Sequence, residues 1–498
     1  MKIFSRRMLI RGQASIINRL VFSPSDINKN PGQTVISMNF VTRYRQPSLI
    51  DAQAGLVLVF MASTELVDDR QTDAIVPTIF SGQIAQPLIF RNLLLGLRQT
   101  VESRFYRPDL WRLLDPVITS GHQLLRLECF SSCASVYARA DLTENAFADA
   151  AFNRNGTTNV DFNSAFLNHL AQLRPGKPAH FEMGEQSIKL QSQRGEAVEH
   201  KVKLPERWIK GFLQVQAVHR QAQPLFELDR LTAGQLLTRI PASTKGALFL
   251  VPKRHKPEIL HRQPAGKGGF IAVADGHRLR LLHSILPDLQ TLRVYQTEAT
   301  GASLWVADTG AAQFTLGLSG AAAHGFSGDG DALRQLRAAD IDEVDLALAR
   351  AAAYSLNHFT IADLAQHQDL ALPRATEIVD RLAQQGLLGF DRDRDRYFYR
   401  QLPFLVDAKG QPGRLQGSRE LLAKQAVEIE HRERRDGELI ANGWVRGESG
   451  YYQVALRVDA HGYLREGRCT CPWIERHELR RGPCKHLLAL RFAAEQAP

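Results

Sequence analysis

Hydrophobic and polar residues alternate along much of the first 205 residues, which predicts strands there. The runs TVISMNFVTRYR and GLVLVFMA have the pattern of strands, whereas RNLLLGLRQTVESRFY has the spacing of an amphipathic helix. A polar loop over Asn153–Asn163 should precede a further helix from Ser164 to Leu173. We therefore predict a β-rich N-terminal α+β domain over residues 1–205.

Short apolar runs separated by turn residues follow in the region 206–340. They are GALFLV, GFIAVA, RLRLLHSIL, LRVYQT, ASLWVA and QFTLGLS. Their spacing predicts a small antiparallel β module over about residues 241–320. Linker helices should precede it, a short one at Leu204–Phe212 that seats Trp208 and Ile209, and one near Thr232–Ile240.

Residues 341–402 combine helix signals with a hairpin. IDEVDLALARAAAYSL predicts one helix, Thr360 can cap a second, and a third has Pro373 in its first turn and ends at Gly386. LLGFDRDRDRYFYRQ then predicts two strands around a charged turn. Three helices and a hairpin in this order resemble a winged helix-turn-helix domain, a fold that often reads DNA.

The charges of this segment weaken the DNA interpretation. Basic and acidic residues balance in its third helix and again in its hairpin: Arg374, Arg381, Glu377 and Asp380, then Arg392, Arg394, Arg396, Asp391, Asp393 and Asp395. Phosphate contacts supply much of the affinity of DNA-binding proteins. A net-neutral surface lacks that contribution and favours a winged helix that binds protein.

Three of the five cysteines lie near the C-terminus. Two alternating strands, GWVRGE and YYQVALRVD, precede Cys469 and Cys471, which end a third strand. Cys484 and His486 stand where an apolar helix begins. Residues two apart in a helix point in nearly opposite directions. Cys484 should therefore lie in the turn before the helix and His486 in its first turn.

Three cysteines and one histidine suit a tetrahedral zinc ion. With Cys469, Cys471, Cys484 and His486 as ligands the site is closed, because no coordination position remains for a substrate. We expect one structural Zn²⁺ in a C-terminal domain over residues 403–498.

This pattern resembles the SWIM-type zinc finger, in which C-x-C, a variable spacer and C-x-H follow a hairpin and precede a helix. Cys469, Cys471, Cys484 and His486 match that pattern in full. The resemblance implies a finger that binds DNA or proteins.

The upstream sequence extends the resemblance. The stretches GTTNVDFN and LPERWIKGFLQVQ, followed by the β module, the winged helix and the finger, are similar to bacterial SWIM family proteins. That family is associated with MoxR-type AAA+ ATPases and von Willebrand A domain proteins. The resemblance implies a non-enzymatic adaptor with such an ATPase and a von Willebrand A protein as partners.

Catalytic motifs are weak in this chain. Gly266–Gly269 lacks the further residues of a P-loop and is interpreted as a turn. Glu199 and Lys201 have the spacing of one half of a nuclease motif, with Asp161 or Glu182 as a second carboxylate. Alternating charges on a strand often produce that spacing. We therefore expect that the protein is not an enzyme.

The remaining cysteines and the hydropathy bear on the compartment. Cys129 and Cys133 would lie about 13 Å apart on one strand, so we expect buried thiols rather than a disulfide or a metal site. No apolar run approaches the ~18 residues of a membrane-spanning helix. We expect a protein of the reducing cytoplasm, without a membrane partner.

The net charge of +10 and the pI near 9.4 keep nucleic acid open as a ligand. Within the finger the candidate contacts are Arg476, Arg480, Arg481 and Lys485, with Arg468 and Arg491 nearby. Two hypotheses therefore remain, an adaptor that binds proteins and a DNA-binding protein that uses the finger and the winged helix.

Overall fold

The computed structural model describes most of the chain from residue 78 onward. Besides four short strands before residue 70 and the single residues Leu204 and Leu402, it describes 78–103, 116–202, 206–243, 246–253, 257–265, 270–298, 300–320, 325–328, 330–334, 341–400, 413–460, 462–479 and 481–496. The turn predicted at Gly266–Gly269 lies outside these residues.

The strands in chain order are β1 Phe40–Thr42, β2 Leu49–Asp51, β3 Val57–Val59, β4 Leu66–Asp68, β5 Phe80–Gln83, β6 Val117–Gly121, β7 Leu124–Phe130, β8 Val136–Thr143, β9 Ala151–Phe152, β10 Gly156–Asn159, β11 Ala179–Met183, β12 Ser187–Ser192, β13 Gly195–His200, β14 Gln223–Asp229, β15 Leu248–Val251, β16 Glu258–Leu260, β17 Ile271–Val273, β18 Thr291–Gln296, β19 Ser303–Asp308, β20 Ala312–Leu318, β21 His358–Phe359, β22 Leu388–Asp391, β23 Arg396–Tyr399, β24 Val427–Arg435, β25 Glu438–Gly447, β26 Gly450–Val458 and β27 Leu464–Cys469. The helices are α1 Pro87–Glu102, α2 Ser164–Ala171, α3 Glu206–Gln221, α4 Arg230–Thr238, α5 Gly325–Gly328, α6 Asp331–Arg334, α7 Glu343–Leu356, α8 Ile361–Gln368, α9 Leu372–Gln384, α10 Gly413–Ala423, α11 Pro472–His477 and α12 Lys485–Gln496. The fold is therefore α+β with several antiparallel sheets.

The largest sheet joins segments that the sequence analysis assigned to different domains. Its eight strands run in the order β10-β6-β7-β8-β20-β19-β18-β14. At its centre β8 pairs antiparallel with β20, from Val136 opposite Leu318 to Leu142 opposite Ala312. The predicted boundary between residues 205 and 206 therefore lies between strands of one sheet. Pairing of strands so far apart in the chain leaves no local mark in the sequence.

One hydrophobic core underlies this sheet. It extends from Ile79 to Leu402 and includes the fully buried rings of Trp208 and Trp305. The helix predicted around Trp208 is present but longer, as α3. The supposed polar loop before α2 contains the strand β10, which pairs with β6.

One predicted strand is a helix instead. The run RLRLLHSIL forms most of a 3-10 helix over Gly276–Ser284 rather than a strand. Leu279, Leu282 and Ile285 are buried at intervals of three residues, the period of a 3-10 helix. The prediction of a strand there was wrong because the same apolar residues also partly match alternation.

The segment 341–400 has the elements that its local signals predicted. Thr360 caps α8, and its hydroxyl and the Asp363 carboxylate form a reciprocal capping box. Pro373 lies in the first turn of α9, and Gly386 follows that helix with φ of +79°. The segment has its own hydrophobic core, and β22 and β23 form an antiparallel hairpin after the helices.

The C-terminal segment is a four-stranded antiparallel sheet in the order β24-β25-β26-β27, against which α12 packs. The sequence analysis anticipated β25 to β27 and the final helix but did not anticipate β24 or α10. Among the described residues, no helix has both the length and the hydropathy needed to cross a membrane.

Candidate metal centre and charged surfaces

Three secondary-structure ends bring the four predicted ligands together. Cys469 is the last residue of β27, and Cys471 occupies the N-cap position of α11. Cys484 directly precedes α12, and His486 is the second residue of that helix. The predicted placement of Cys484 in the turn and His486 in the first helical turn is confirmed.

The ligand atoms have the geometry of a metal site. One atom from each of Cys469, Cys471, Cys484 and His486 lies within 4.8 Å of all the others, and Cys469 Sγ is 3.8 Å from His486 Nδ1. Zn–S bonds of ~2.3 Å and Zn–N bonds of ~2.0 Å place neighbouring ligands ~3.5–3.8 Å apart in a tetrahedron. All four residues are buried. The four side chains can therefore hold a metal ion.

The chemistry of the donor set fits a cation. Hydrogen bonds among the three thiols raise the pKa of Cys469 and lower that of Cys471. Adjacent thiolates thus need a positive charge between them. The His486 ring stacks on Tyr452 at 4.2 Å, and its buried Nε2 has no hydrogen-bond partner. Packing rather than hydrogen bonding orients this imidazole.

The spacer between the two ligand pairs is more structured than the loop that the sequence predicted. It begins with the helix α11, because Pro472 is compatible with a first turn. Arg414 of α10 donates to the carbonyl oxygens of Arg481 and Pro483 at 2.6 and 2.9 Å, and its guanidinium lies 4.4 Å from the centre of the Trp473 ring. Arg414 is far from the ligands in sequence, so no local pattern could have indicated it.

The basic residues proposed for nucleic acid differ in their availability. Lys485 forms an ion pair with Glu448 at 3.2 Å, and Arg481 is half-buried with its guanidinium 5.6 Å from the Trp473 ring. Arg476 is exposed. Arg480 lies outside the described residues.

Arg491 cannot contact nucleic acid from this position. It is fully buried and donates to the carbonyl oxygens of Arg334 and Gly462, both at 2.7 Å, and to Glu495. It connects α12 to α6 rather than facing solvent.

The β22–β23 hairpin is docked on the eight-stranded sheet. Asp391 is fully buried, and its carboxylate lies 3.0 Å from Arg394, 3.1 Å from Arg139 and 3.4 Å from Arg126. Arg126 and Arg139 of β7 and β8 also share Asp141 at 2.7 and 2.8 Å. Asp391 is thus paired with arginines inside the protein.

A second contact continues this docking at Asp393. Its carboxylate accepts a hydrogen bond from Tyr295 at 2.8 Å and pairs with Arg293 at 2.6 Å. Gln313 donates to the same carboxylate at 3.1 Å and accepts from Arg394 at 2.8 Å. The turn of the hairpin is therefore held by strands β18 and β20.

The third helix of the segment, α9, is also engaged. Asp380 is buried and forms an ion pair with Arg220 of α3. On the outer side Arg374 pairs with Asp345 at 3.1 Å and with Glu377 at 3.3 Å. Arg374, Glu377 and Asp380 of this helix therefore form ion pairs.

Of the nuclease candidates, Glu182 lies apart from Glu199, whereas Asp161 lies near it. Glu182 pairs in register with Lys189, while Glu199 pairs with the neighbouring Ile188, so the two carboxylates lie on opposite faces of their sheet. Burial and the nearby Asp161 carboxylate raise the pKa of Glu199 to about 7. Near neutral pH the buried Glu199 is therefore partly protonated.

The two upstream cysteines differ from the prediction in one respect. Cys129 is fully buried and donates to the carbonyl of Leu97, as expected for a core thiol. Cys133 is half-buried in the turn between β7 and β8 rather than on a shared strand.

Among the comparisons with known proteins, those with solved structures give matches. No family model matches the chain, and no curated protein matches it. Among solved structures, proliferating cellular nuclear antigen from Entamoeba histolytica is 8% identical with a TM-score of 0.35, covering 49% of this chain and 99% of that one. A. fulgidus PCNA bound to the C-terminal region of FEN-1 is 9% identical with a TM-score of 0.33, covering 48% and 97%. The PCNA2–PCNA3 complex from Sulfolobus tokodaii is 8% identical with a TM-score of 0.36, covering 48% and 98%.

Proposed function

We propose that this protein is a non-enzymatic adaptor whose C-terminal segment is a SWIM-type finger built on one structural zinc ion. The observation that carries the proposal is the buried set of Cys469, Cys471, Cys484 and His486, whose ligand atoms lie within 4.8 Å of one another. Four protein ligands complete a tetrahedral shell, so the metal has no open position for a substrate.

The donor set supports zinc over other divalent ions. Thiolates favour soft or borderline ions, and a tetrahedral site with three sulfurs and one imidazole suits zinc. Magnesium and calcium prefer oxygen ligands in larger coordination shells. The centre would then fix the turns between β27, α11 and α12.

The docking of the β22–β23 hairpin supports a protein-binding role over DNA reading. Helices α7 to α9 and the hairpin have the order of elements in a winged helix. The charged turn of this wing pairs with the chain's own sheet through Asp391 and Asp393. A wing engaged in this way has few groups left for phosphates.

The partners are proposed from the resemblance stated for the sequence. We propose a MoxR-type AAA+ ATPase and a von Willebrand A protein, in the reducing cytoplasm. Any work done by the complex would then come from the ATPase.

Two measurements on the full chain test this proposal. Elemental analysis should find about one zinc per chain, which Cys484→Ser should abolish and the matched Cys133→Ser should leave unchanged. Affinity capture from the native host, followed by mass spectrometry, should enrich an AAA+ ATPase and a von Willebrand A protein. No zinc in freshly purified protein would refute the metal centre. Absence of both partners together with tight duplex binding would refute the adaptor.

A DNA-binding protein remains the second candidate because one surface favours it. Arg446, Tyr451 and Arg468 are exposed, and the strand register places them on the same face of the four-stranded sheet. Arginine and tyrosine side chains can contact phosphates and stack on bases. Arg446→Glu with Arg468→Glu should then weaken duplex binding and lower its salt dependence. Arg435→Glu, at another exposed arginine of this sheet, is the matched control.

A further inference from the structure

The turn between β7 and β8 presents a thiol in an unusual setting. Ser131 to Ser135 form this turn, and Ala134 has a left-handed φ of +57°. The Ala134 carbonyl accepts a hydrogen bond from the backbone N–H of Phe326 at 2.7 Å. The backbone beside the half-buried Cys133 is thus held by the helix α5.

Polar groups surround the Cys133 sulfur. Its Sγ lies 3.1 Å from Ser135 Oγ and 3.4 Å from Ser131 Oγ, both within hydrogen-bond reach. Arg278 Nη2 donates to the same sulfur at 3.6 Å. Two hydroxyl groups and one guanidinium form an environment that favours a negative charge on sulfur.

Arg278 provides an independent indication of an anionic ligand. It lies on the 3-10 helix that packs beside this turn and is only 4% exposed. Its Nη1 is buried without a hydrogen-bond partner, and its Nε is 3.6 Å from Asp275. A buried charged donor without a partner is costly. An additional oxygen at the sulfur would give that nitrogen a partner.

The two upstream thiols differ in their acidity. Burial alone would raise the pKa of Cys133, but Arg278 and hydrogen bonds with Ser131 and Ser135 outweigh it and lower the pKa to about 7. Burial raises the pKa of Cys129 far above the usual range. At neutral pH Cys133 is therefore partly a thiolate, whereas Cys129 is a thiol.

We propose that Cys133 is an oxidation site at which a hydroperoxide converts the thiolate to a sulfenate that Arg278 holds. The thiolate sulfur attacks one peroxide oxygen, an S–O bond forms and the O–O bond breaks. The leaving hydroxide or alkoxide takes the proton of the transferred oxygen, which leaves the sulfenate and releases water or an alcohol. Sulfur loses two electrons to the peroxide, and the sulfenate oxygen accepts a hydrogen bond from the guanidinium.

Alkylation rates of each cysteine measure the first half of this proposal. The intact zinc-loaded protein is treated with iodoacetamide between pH 5.5 and 9, and peptides are quantified by mass spectrometry. At pH 6.5 a thiol of pKa 7 is about a quarter ionised, against about 1% for an ordinary thiol of pKa ~8.5. Its lower intrinsic nucleophilicity removes ~5-fold of that advantage. Cys133 should therefore react ~5-fold faster than a reference peptide thiol, while Cys129 stays unlabelled.

Trapping with dimedone after treatment with hydrogen peroxide measures the second half. We expect a dimedone adduct on Cys133, absent in Cys133→Ser. Arg278→Gln should move the alkylation midpoint toward ~8.5 and reduce the adduct, and Arg278→Lys should restore both in part. Circular dichroism checks that each variant is folded.

The pH dependence of Cys133 alkylation in the unmodified protein tests the proposal even if the arginine variants fail to fold. An alkylation midpoint of Cys133 at or above ~8.5, or a dimedone signal equal to that of Cys133→Ser, overturns the proposal. If Arg278→Gln raised the alkylation midpoint of Cys133 as expected but kept the dimedone adduct, Arg278 would lower the pKa of the thiol without holding the sulfenate. That result would also overturn the proposal.

Discussion

Replacing Asp391 by asparagine tests whether the β22–β23 hairpin is fixed to the large sheet by its charges. The carboxylate is fully buried among Arg126, Arg139 and Arg394. Asparagine keeps the shape but removes the negative charge. Asp141 is then the carboxylate left between Arg126 and Arg139.

The expected loss follows from the burial of this cluster. Removing one partner of a buried ion pair costs ~3–5 kcal/mol, because the remaining charge stays away from water. The side chains of Arg126 and Arg139 are 4% and 2% exposed, so solvent cannot replace the lost carboxylate. With a urea m-value of about 3 kcal/mol per molar, the unfolding midpoint should fall by about 1 M.

Urea titration followed by circular dichroism measures this shift. Asp395→Asn is the matched control, because Asp395 belongs to the same turn but is 70% exposed and pairs locally with Arg392. Exposed pairs of this kind contribute little, so its midpoint should stay near that of the unmodified protein. Equal midpoints for the two variants would show that the buried cluster does not hold the hairpin.

Three further predictions concern the metal centre and acid stability. Cys484→Ser should lose the metal and make the chain after about residue 440 sensitive to protease, since structural zinc supplies ~10 kcal/mol or more in finger peptides; retention of both metal and resistance would contradict this. Gly447→Ala should weaken metal affinity, because the added Cβ would lie 2.7 Å from the Tyr452 ring and 3.0 Å from His486 Nε2; a chelator competition assay measures the change. Despite burial, the surrounding arginines lower the pKa of Asp391 in the folded protein, so its stabilisation is complete above the unfolded pKa of ~3.9 and is lost as pH falls toward the folded value. Urea midpoints of Asp391→Asn and the unmodified protein should accordingly converge below pH 4.

The sequence predicted those features that short-range chemistry determines. Cys469, Cys471, Cys484 and His486 could be identified because ligand type and spacing alone specify a metal site. The Thr360 cap was equally local, since it depends on residues within one helical turn. In each case the evidence lies within one short segment of the sequence.

The features that the sequence analysis missed depend on distant pairing. The sheet that spans the predicted boundary at residue 205 was not foreseen, because β8 and β20 become neighbours only when the sheet forms. The Arg414 contacts with the spacer connect α10 to a segment about seventy residues later. The strand β24 is strongly charged, as edge strands often are, and its apolar alternation is confined to Val427 and Ile429.

The cancelling charges of segment 341–402 have different meanings in sequence and in structure. In the sequence, equal numbers of acidic and basic residues suggested a surface without affinity for phosphate. In the structure, Asp391, Asp393 and Asp380 are paired with arginines from other segments, at β7 and β8, at β18 and at α3. These three carboxylates are therefore neutralised by arginines of the same chain when the segment docks on it. DNA reading through this hairpin would require it to leave the sheet and expose buried arginines, whereas a protein partner can bind the docked form as it stands.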